Sequence, residues 1–169
     1  NYDLEIVVVN NCSIDRTREI IASFPKVKLV DEPAKGLVKA RRAGYLASVG
    51  ELIANIDADT RMTKGWFDKV FSEFSKHDNL VGLSGPFIYY DLSKNARAAV
   101  RAFYYLGFFS YLLNRYILGV GSMLQGGNFV VKRTALEAIG GFNSEFDFWG
   151  EDADLARRLV KAGQVKFTF

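Results

Sequence analysis

The residues best suited to chemistry in this chain of 169 residues are carboxylates in two short clusters. Asp57-Ala58-Asp59 follows an apolar run at residues 51–56, and Glu151-Asp152-Ala153-Asp154 opens a helical pattern near the C-terminal end. Two acids one residue apart, at the exit of a buried strand, would repel a diphosphate unless a hard cation lay between. Mg²⁺ or Mn²⁺ suits that place, because it takes carboxylate oxygens and keeps positions for phosphate. The plain alternative is a loop of solvated acids. In the second cluster the helix dipole stabilises acids in a first turn whatever else they do. The functional alternative makes one of them a general base within hydrogen-bond reach of a substrate hydroxyl. Trp149, just ahead, is either packing or a stacking wall for a sugar.

These acids need elements to hold them. Residues 4–9 form a β-branched apolar run, the pattern of a strand buried on both faces. Asn10-Asn11-Cys12-Ser13 ends it, and Ser13 or Asp15 can cap a helix carrying Ile14, Ile20, Ile21 and Phe24. Strands are then expected at residues 27–30, 51–56 and 80–88, with helices at 36–49 and 64–75 between them. Four alternations of strand and helix predict an α/β fold with a mostly parallel sheet flanked by helices. In such a sheet ligands collect beyond the carboxyl ends of the strands, where Asn10-Asn11 and Asp57-Ala58-Asp59 fall. After residue 91 the rhythm breaks. A long helix is expected at 96–118, glycine-rich chain at 119–127, an extended segment at 129–131, helices at 134–139 and 152–162, and a strand-like run at 165–169.

Composition narrows the field. Apolar residues at 49% and charged residues at 24% exclude a disordered chain, and three prolines leave no linker, so one domain is expected. One cysteine and one histidine exclude a disulfide framework and a Cys/His zinc site. A net charge of +3 is too small to point to nucleic acid. Its distribution is uneven: residues 92–136 hold no Asp or Glu, but do hold Lys94, Arg97, Arg101, Arg115, Lys132 and Arg133. The same stretch carries Phe103, Tyr104, Tyr105, Phe108, Phe109, Tyr111 and Tyr116. Its uncharged core is shorter than the roughly 20 residues a bilayer span needs. Two readings stay open, a helix buried on the sheet or an interfacial helix facing a membrane or a polyprenyl phosphate. A start without Met, directly before a strand, and an end inside another strand-like run are expected of a piece of something longer.

Six motifs stand in order along the chain: VVNNCSIDRT at 8–17, KGLVKAR at 35–41, IDADT at 56–60, GGNF at 126–129, GGF at 140–142 and GEDADLARRL at 150–159. Together, over about residues 4–163, they resemble the family 2 glycosyltransferases of the GT-A fold. The resemblance implies a GT-A, Rossmann-like single domain over 1–169, N-terminally truncated by the usual first strand and helix. Residues 1–91 would be its nucleotide-sugar half and 92–169 its acceptor and catalytic half.

The family's roles carry over by position. Asn11 stands where the family usually has a base-reading Asp, and Asp15 and Thr17 match the polar turn after it. Arg41 matches the basic residue near the nucleotide, Asp57 would lie near the ribose or metal, and Asp59 on a Mn²⁺ or Mg²⁺ bound to the diphosphate. Gly126, Gly127 and Asn128 would border the sugar, with Trp149 and Glu151 at the acceptor. Asp152 would be the base of an inverting transfer.

The implied donor is a UDP-sugar, and the implied acceptor a saccharide or polyprenyl lipid of the cell envelope, with no nucleic acid partner. The implied location is cytoplasmic, with contact at the inner face of the membrane left open. Two rival readings remain: a non-catalytic domain that binds a nucleotide-sugar, and a phosphatase resembling the haloacid dehalogenases with Asp57 as nucleophile.

Overall fold

The computed structural model describes residues 2–117, 123–146 and 150–168. Its chain groups into two compact units, one of residues 1–53 and 132–151, the other of residues 54–131 and 152–169.

In the first unit the opening β-branched run becomes β1 (Ile6–Asn10), which pairs in parallel with β2 (Val27–Asp31), Ile6 opposite Val27 and Asn10 opposite Asp31. Between them lies α1 (Thr17–Ala22), six residues long, and after them α2 (Leu37–Ala47) packs on β1. The approach is close at one point: a Cβ on Gly44 would sit 3.1 Å from Cγ2 of Val9. Val38 on α2 is almost wholly buried.

Other expectations for this unit fail. Leu4 and Ile6 are exposed, Ile14 lies outside α1 and is fully exposed, and α1 buries no residue. A two-stranded ladder with one six-residue and one eleven-residue helix offers too little surface to cover both faces of a strand. Neither Ser13 nor Asp15 is the cap of α1, which is Arg16 without a side-chain bond, but Asp15 stands just before it and its Oδ1 accepts from the Thr17 amide at 2.9 Å. Hydrogen bonds from the Thr17 side chain and amide hold the Asp15 carboxyl below its ordinary range. A short helix, α5 (Arg133–Ala138), follows residue 132. Arg133 ties it down: its amide donates to Glu51 O, its Nε to Gly50 O and its Nη2 to Ser48 Oγ.

The remaining strands form a four-stranded sheet in the order β3-β5-β4-β6. Its members are β3 (Leu52–Ile56), β4 (Leu80–Ser84), β5 (Asn128–Lys132) and β6 (Gln164–Phe167). β4 runs parallel to β6 but antiparallel to β5, Leu83 opposite Val130, so the sheet is mixed. All five residues of β4 are buried, as an apolar run between two neighbouring strands should be. It stops at Ser84 rather than at residue 88, because Gly85 passes tightly under Thr168 (a Cβ there would meet the Thr168 carbonyl at 2.8 Å) and Pro86 has no amide for a ladder.

Helices α3 (Trp66–Lys76), α4 (Lys94–Tyr116) and α6 (Glu151–Leu159) complete the chain. Leu80, Leu83, Phe129, Val131, Leu155 and Val165 form a core with almost no exposure. The long helix α4, capped by the Ser93 hydroxyl, divides lengthwise: Tyr104, Phe108 and Tyr111 pack against Phe167 and Met123, while the opposite arc is exposed.

Candidate active site

In the second unit three segments converge on one glycine turn. Gln125 to Asn128 close a β-turn, the Asn128 amide donating to Gln125 O at 3.0 Å. Gly127 holds φ at 74°, where a side chain is strained. β3 delivers Asp57 alongside: its amide donates to Gly127 O at 3.2 Å, and its carboxylate lies directly over Gly127. A Cβ on Gly127 would stand only 1.9 Å from Asp57 Oδ2. The start of α6 delivers Asp152, whose Oδ2 accepts from the Gly126 amide at 3.3 Å and whose Oδ1 accepts from the Ala153 amide at 2.8 Å. Two acids from distant stretches of sequence thus meet across Gly126-Gly127.

The turn is anchored from below by Asn128 and by two residues, Ser84 and Tyr104, to which the sequence assigned no role at the site. Ser84, at the end of β4, accepts from the Gln125 amide at 2.7 Å and donates to Asn128 O at 2.8 Å. Asn128 donates through Nδ2 to Gly85 O at 2.9 Å, so its side chain fastens β5 to the end of β4. Tyr104 on α4 accepts from the Phe87 amide and donates to Gln125 Oε1, both at 3.3 Å. Burial pushes its phenol up to about 12, so it stays a donor. A lone serine closing an otherwise apolar strand was the available signal for Ser84. Tyr104 carried none, being one aromatic among many.

Asp57 and Asp59 both line an open cavity of about 860 Å³ in this unit, together with Arg61, Trp66, Tyr89 and Asn128. That size is ample for a sugar diphosphate. Arg61 lies over the ring of Tyr90, 4.8 Å from its centroid, which fixes a cation at the cavity wall. Among the described residues no three His, Cys, Asp or Glu side chains gather as a ligand set. The protein's contribution to a metal would therefore be Asp57 and Asp59, both exposed carboxylates. That donor set fits Mg²⁺ or Mn²⁺, hard cations that keep several positions for water and phosphate.

The first unit treats its polar residues differently. Asn11 donates through Nδ2 to Glu32 O and Ala34 O at 2.9 and 2.8 Å, and accepts from the Gly36 amide at 2.8 Å. Its amide is spent on pinning the loop between β2 and α2. Arg41 on α2 forms a buried ion pair with Glu151, both side chains under a tenth exposed. Asp15 serves the α1 terminus, as described above. Asp154, on the neighbouring α6, is bound by Arg157 and Arg158 and is a structural acid. Trp149 lies outside the described residues. The structure therefore brings Asp57, Asp59, Asp152, Gly126, Gly127 and Asn128 together in the second unit. It gives Asn11, Asp15, Arg41 and Glu151 local partners in the first.

The family model for glycosyl transferase family 2 matches residues 1–140, and a model described as the N-terminal domain of galactosyltransferase matches residues 119–168. A dolichyl-phosphate beta-glucosyltransferase of Trichomonas vaginalis is 43% identical over 63 residues, covering 34% of this chain and 19% of that protein. YdaM of Bacillus subtilis, named a probable glycosyltransferase, is 27% identical and covers 95% of this chain and 40% of its own length. The chain thus spans less than half of each of these relatives. Among solved structures, glucosyl-3-phosphoglycerate synthase from Mycobacterium tuberculosis with phosphoglyceric acid superposes with a TM-score of 0.59 at 18% identity. That match covers 95% of this chain and 57% of the synthase, and it shows the shared GT-A fold. With the family model spanning most of its length, the chain belongs to glycosyl transferase family 2.

Proposed function

We propose that this chain moves a sugar from a nucleoside-diphosphate donor, a UDP-sugar, to an acceptor hydroxyl or lipid phosphate, with inversion at the anomeric carbon. The single observation that carries this reading is the placement of Asp57 and Asp152 on the two glycines of one turn, with Asp57 and Asn128 also lining the open cavity. The chemistry needs an acid that handles the leaving diphosphate and a base that handles the incoming oxygen, close to each other but separately held.

Asp152 is held by the Gly126 amide and by the first turn of α6. It takes the proton from the acceptor hydroxyl as the new bond to the anomeric carbon forms and the bond to the diphosphate oxygen breaks. Asp57 and Asp59 would hold Mn²⁺ or Mg²⁺, which when bound offsets charge growing on the departing diphosphate. Arg61, Lys64 and Lys69 line the same cavity and add positive charge for the phosphates. The lack of side chains at Gly126 and Gly127 is what lets the Asp57 and Asp152 carboxylates approach the turn so closely.

The name of the Trichomonas relative supports a lipid phosphate among the acceptors. An acceptor phosphate is already ionised and brings no proton to remove, so dependence on Asp152 separates the two acceptor classes. With a hydroxyl acceptor, Asp152→Asn is expected to lower kcat by about 10² to 10⁴ while leaving donor affinity unchanged. Asp59→Asn is expected to weaken donor binding only when Mn²⁺ is present. Calorimetric titration of donor with and without Mn²⁺, beside a turnover assay, reads both effects. Wild-type turnover in Asp152→Asn with a hydroxyl acceptor sinks the proposed mechanism.

A second reading, a domain that binds the nucleotide-sugar without turnover, draws on Asn11, whose amide is occupied by the loop at 32–36 rather than presented to a base. Binding of UDP with Mn²⁺ in the absence of any transfer or donor hydrolysis would favour it.

A further inference from the structure

The exposed arc of α4 is the largest feature that glycosyl transfer does not use. Phe103, Leu106, Phe109, Leu113 and Tyr116 recur every three or four residues, so they share one side of the helix. Their exposures run from 41% at Leu113 to 72% at Phe103, and Ala98, Ala99 and Ala102 continue the stripe toward the N-terminus. The helix spends Tyr104, Phe108 and Tyr111 on the core, on its opposite side. This is a second apolar face. Core packing has no use for it, and a soluble surface seldom tolerates so many large apolar groups together.

Charge decides what covers it. Lys94, Arg97 and Arg101 are exposed on the first half of the helix, and no acid occurs anywhere in residues 92–136. With Phe87, Ile88 and Tyr89 those three cations line a groove of about 510 Å³ beside the stripe. Ile88, Tyr89 and Tyr90 are themselves well exposed, so apolar and aromatic surface extends onto the loop before α4. A second copy pairing through the same helix face would offer these cations no acid, since residues 92–136 hold none. A polyanionic apolar layer meets both features at once. Among the described residues no helix is long and apolar enough to cross a membrane, so α4 would lie along a bilayer rather than through it.

We propose that the outer face of α4, with the loop at 86–92, docks on the surface of an anionic phospholipid bilayer. Phe103, Leu106 and Phe109 enter the boundary between headgroups and acyl chains. Lys94, Arg97 and Arg101 meet lipid phosphates. Tyr105 and Tyr116 sit where amphipathic rings prefer to be, at headgroup level.

The test is flotation of the protein with vesicles of phosphatidylcholine alone or mixed with phosphatidylglycerol, at low and high salt, with no nucleotide-sugar present. Its outcome is thereby independent of whether the chain transfers sugar. Wild type is expected to float with the anionic vesicles and to be released by salt. Phe103→Ser combined with Phe109→Ser, and separately Arg97→Glu combined with Arg101→Glu, should each lower vesicle affinity by about tenfold or more at unchanged Tm. All four positions are exposed, so folding should survive. Failure of wild type to float with either vesicle overturns the proposal, as does flotation unaffected by both double variants. A dimer that the Phe variants abolish, without vesicle binding, also overturns it and assigns the face to a second copy.

Discussion

The two compact units handle polar side chains in opposite ways. In the first, Asn11 uses both ends of its amide on backbone, Asp15 serves a helix terminus, and Arg41 and Glu151 neutralise each other in the interior. In the second, the Asp57 amide donates to Gly127 O, the Asp152 carboxylate accepts from the Gly126 and Ala153 amides, and Asp57 with Asp59 lines an open cavity. The first arrangement ties polar groups to one another and to backbone, and the second sets carboxylates around a glycine turn. A polar residue at the carboxyl end of a strand is therefore not a site by position alone. What distinguishes the two cases is the surroundings: a loop or a buried counter-charge in the first, a glycine turn and an open cavity in the second.

The sharpest way to break that contrast is to remove a charge from the buried pair. Arg41→Ala leaves Glu151 buried without its guanidinium and is expected to cost about 3–5 kcal/mol of stability, read as a fall in the urea midpoint. Arg41→Lys, which keeps charge but loses the planar fork, should recover only part of it. Next comes Gly127→Ala, which must accept a positive φ and displace the Asp57 carboxylate. A loss of about 1–3 kcal/mol is expected from backbone strain, and turnover should fall further than stability explains. Equal loss of turnover and stability would remove Gly127 from the site and weaken the distinction between the units.

Asn11→Asp is a smaller and more discriminating change. The new carboxylate could still accept from the Gly36 amide, but it has no hydrogen for the carbonyls of Glu32 and Ala34. Stability should drop by about 1–3 kcal/mol, measured by thermal unfolding. A gain in nucleotide affinity despite that loss would show that the loop brace has displaced a base-reading role.

The smallest effect concerns Asp154. Desolvation alone would raise its pKa, but hydrogen bonds from Arg158 and Arg157 outweigh it and hold the carboxyl below its ordinary 3.8. A group depressed in the folded state contributes stability above its unfolded value and loses it as pH falls through the folded one. Unfolding midpoints followed from about pH 6 down to about pH 3 should therefore drop in wild type. They should change less in Asp154→Asn, where that proton uptake is gone.

Much of this was legible in the residues. The acidic triplet at 57–59 was placed after a strand and is found one residue past β3. The helix expected at 64–75 is Trp66–Lys76, with Val70 and Phe74 buried as its periodicity required. Gly126, Gly127, Asp57 and Asp152 were named in advance, and the structure gathers them at one turn. Other features were not legible. β5 was expected only as an extended segment, and its antiparallel pairing with β4 depends on a partner some 45 residues away in the register Leu83 to Val130. Asn11 read as a ligand residue because side-chain type does not reveal which carbonyls a loop will bring near.

Local pattern by itself determined where strands and helices form, since apolar period and turn residues act over a few positions. It also determined that acids and glycines would stand at strand ends, and that one helix would be rich in aromatics yet lack acids. Only the tertiary structure decided which acids gather around the glycine turn, which side of α4 faces the core, and that Ser84 and Tyr104 brace that turn. Those outcomes depend on hydrogen bonds and packing between segments far apart in the chain, whose geometry no local periodicity encodes.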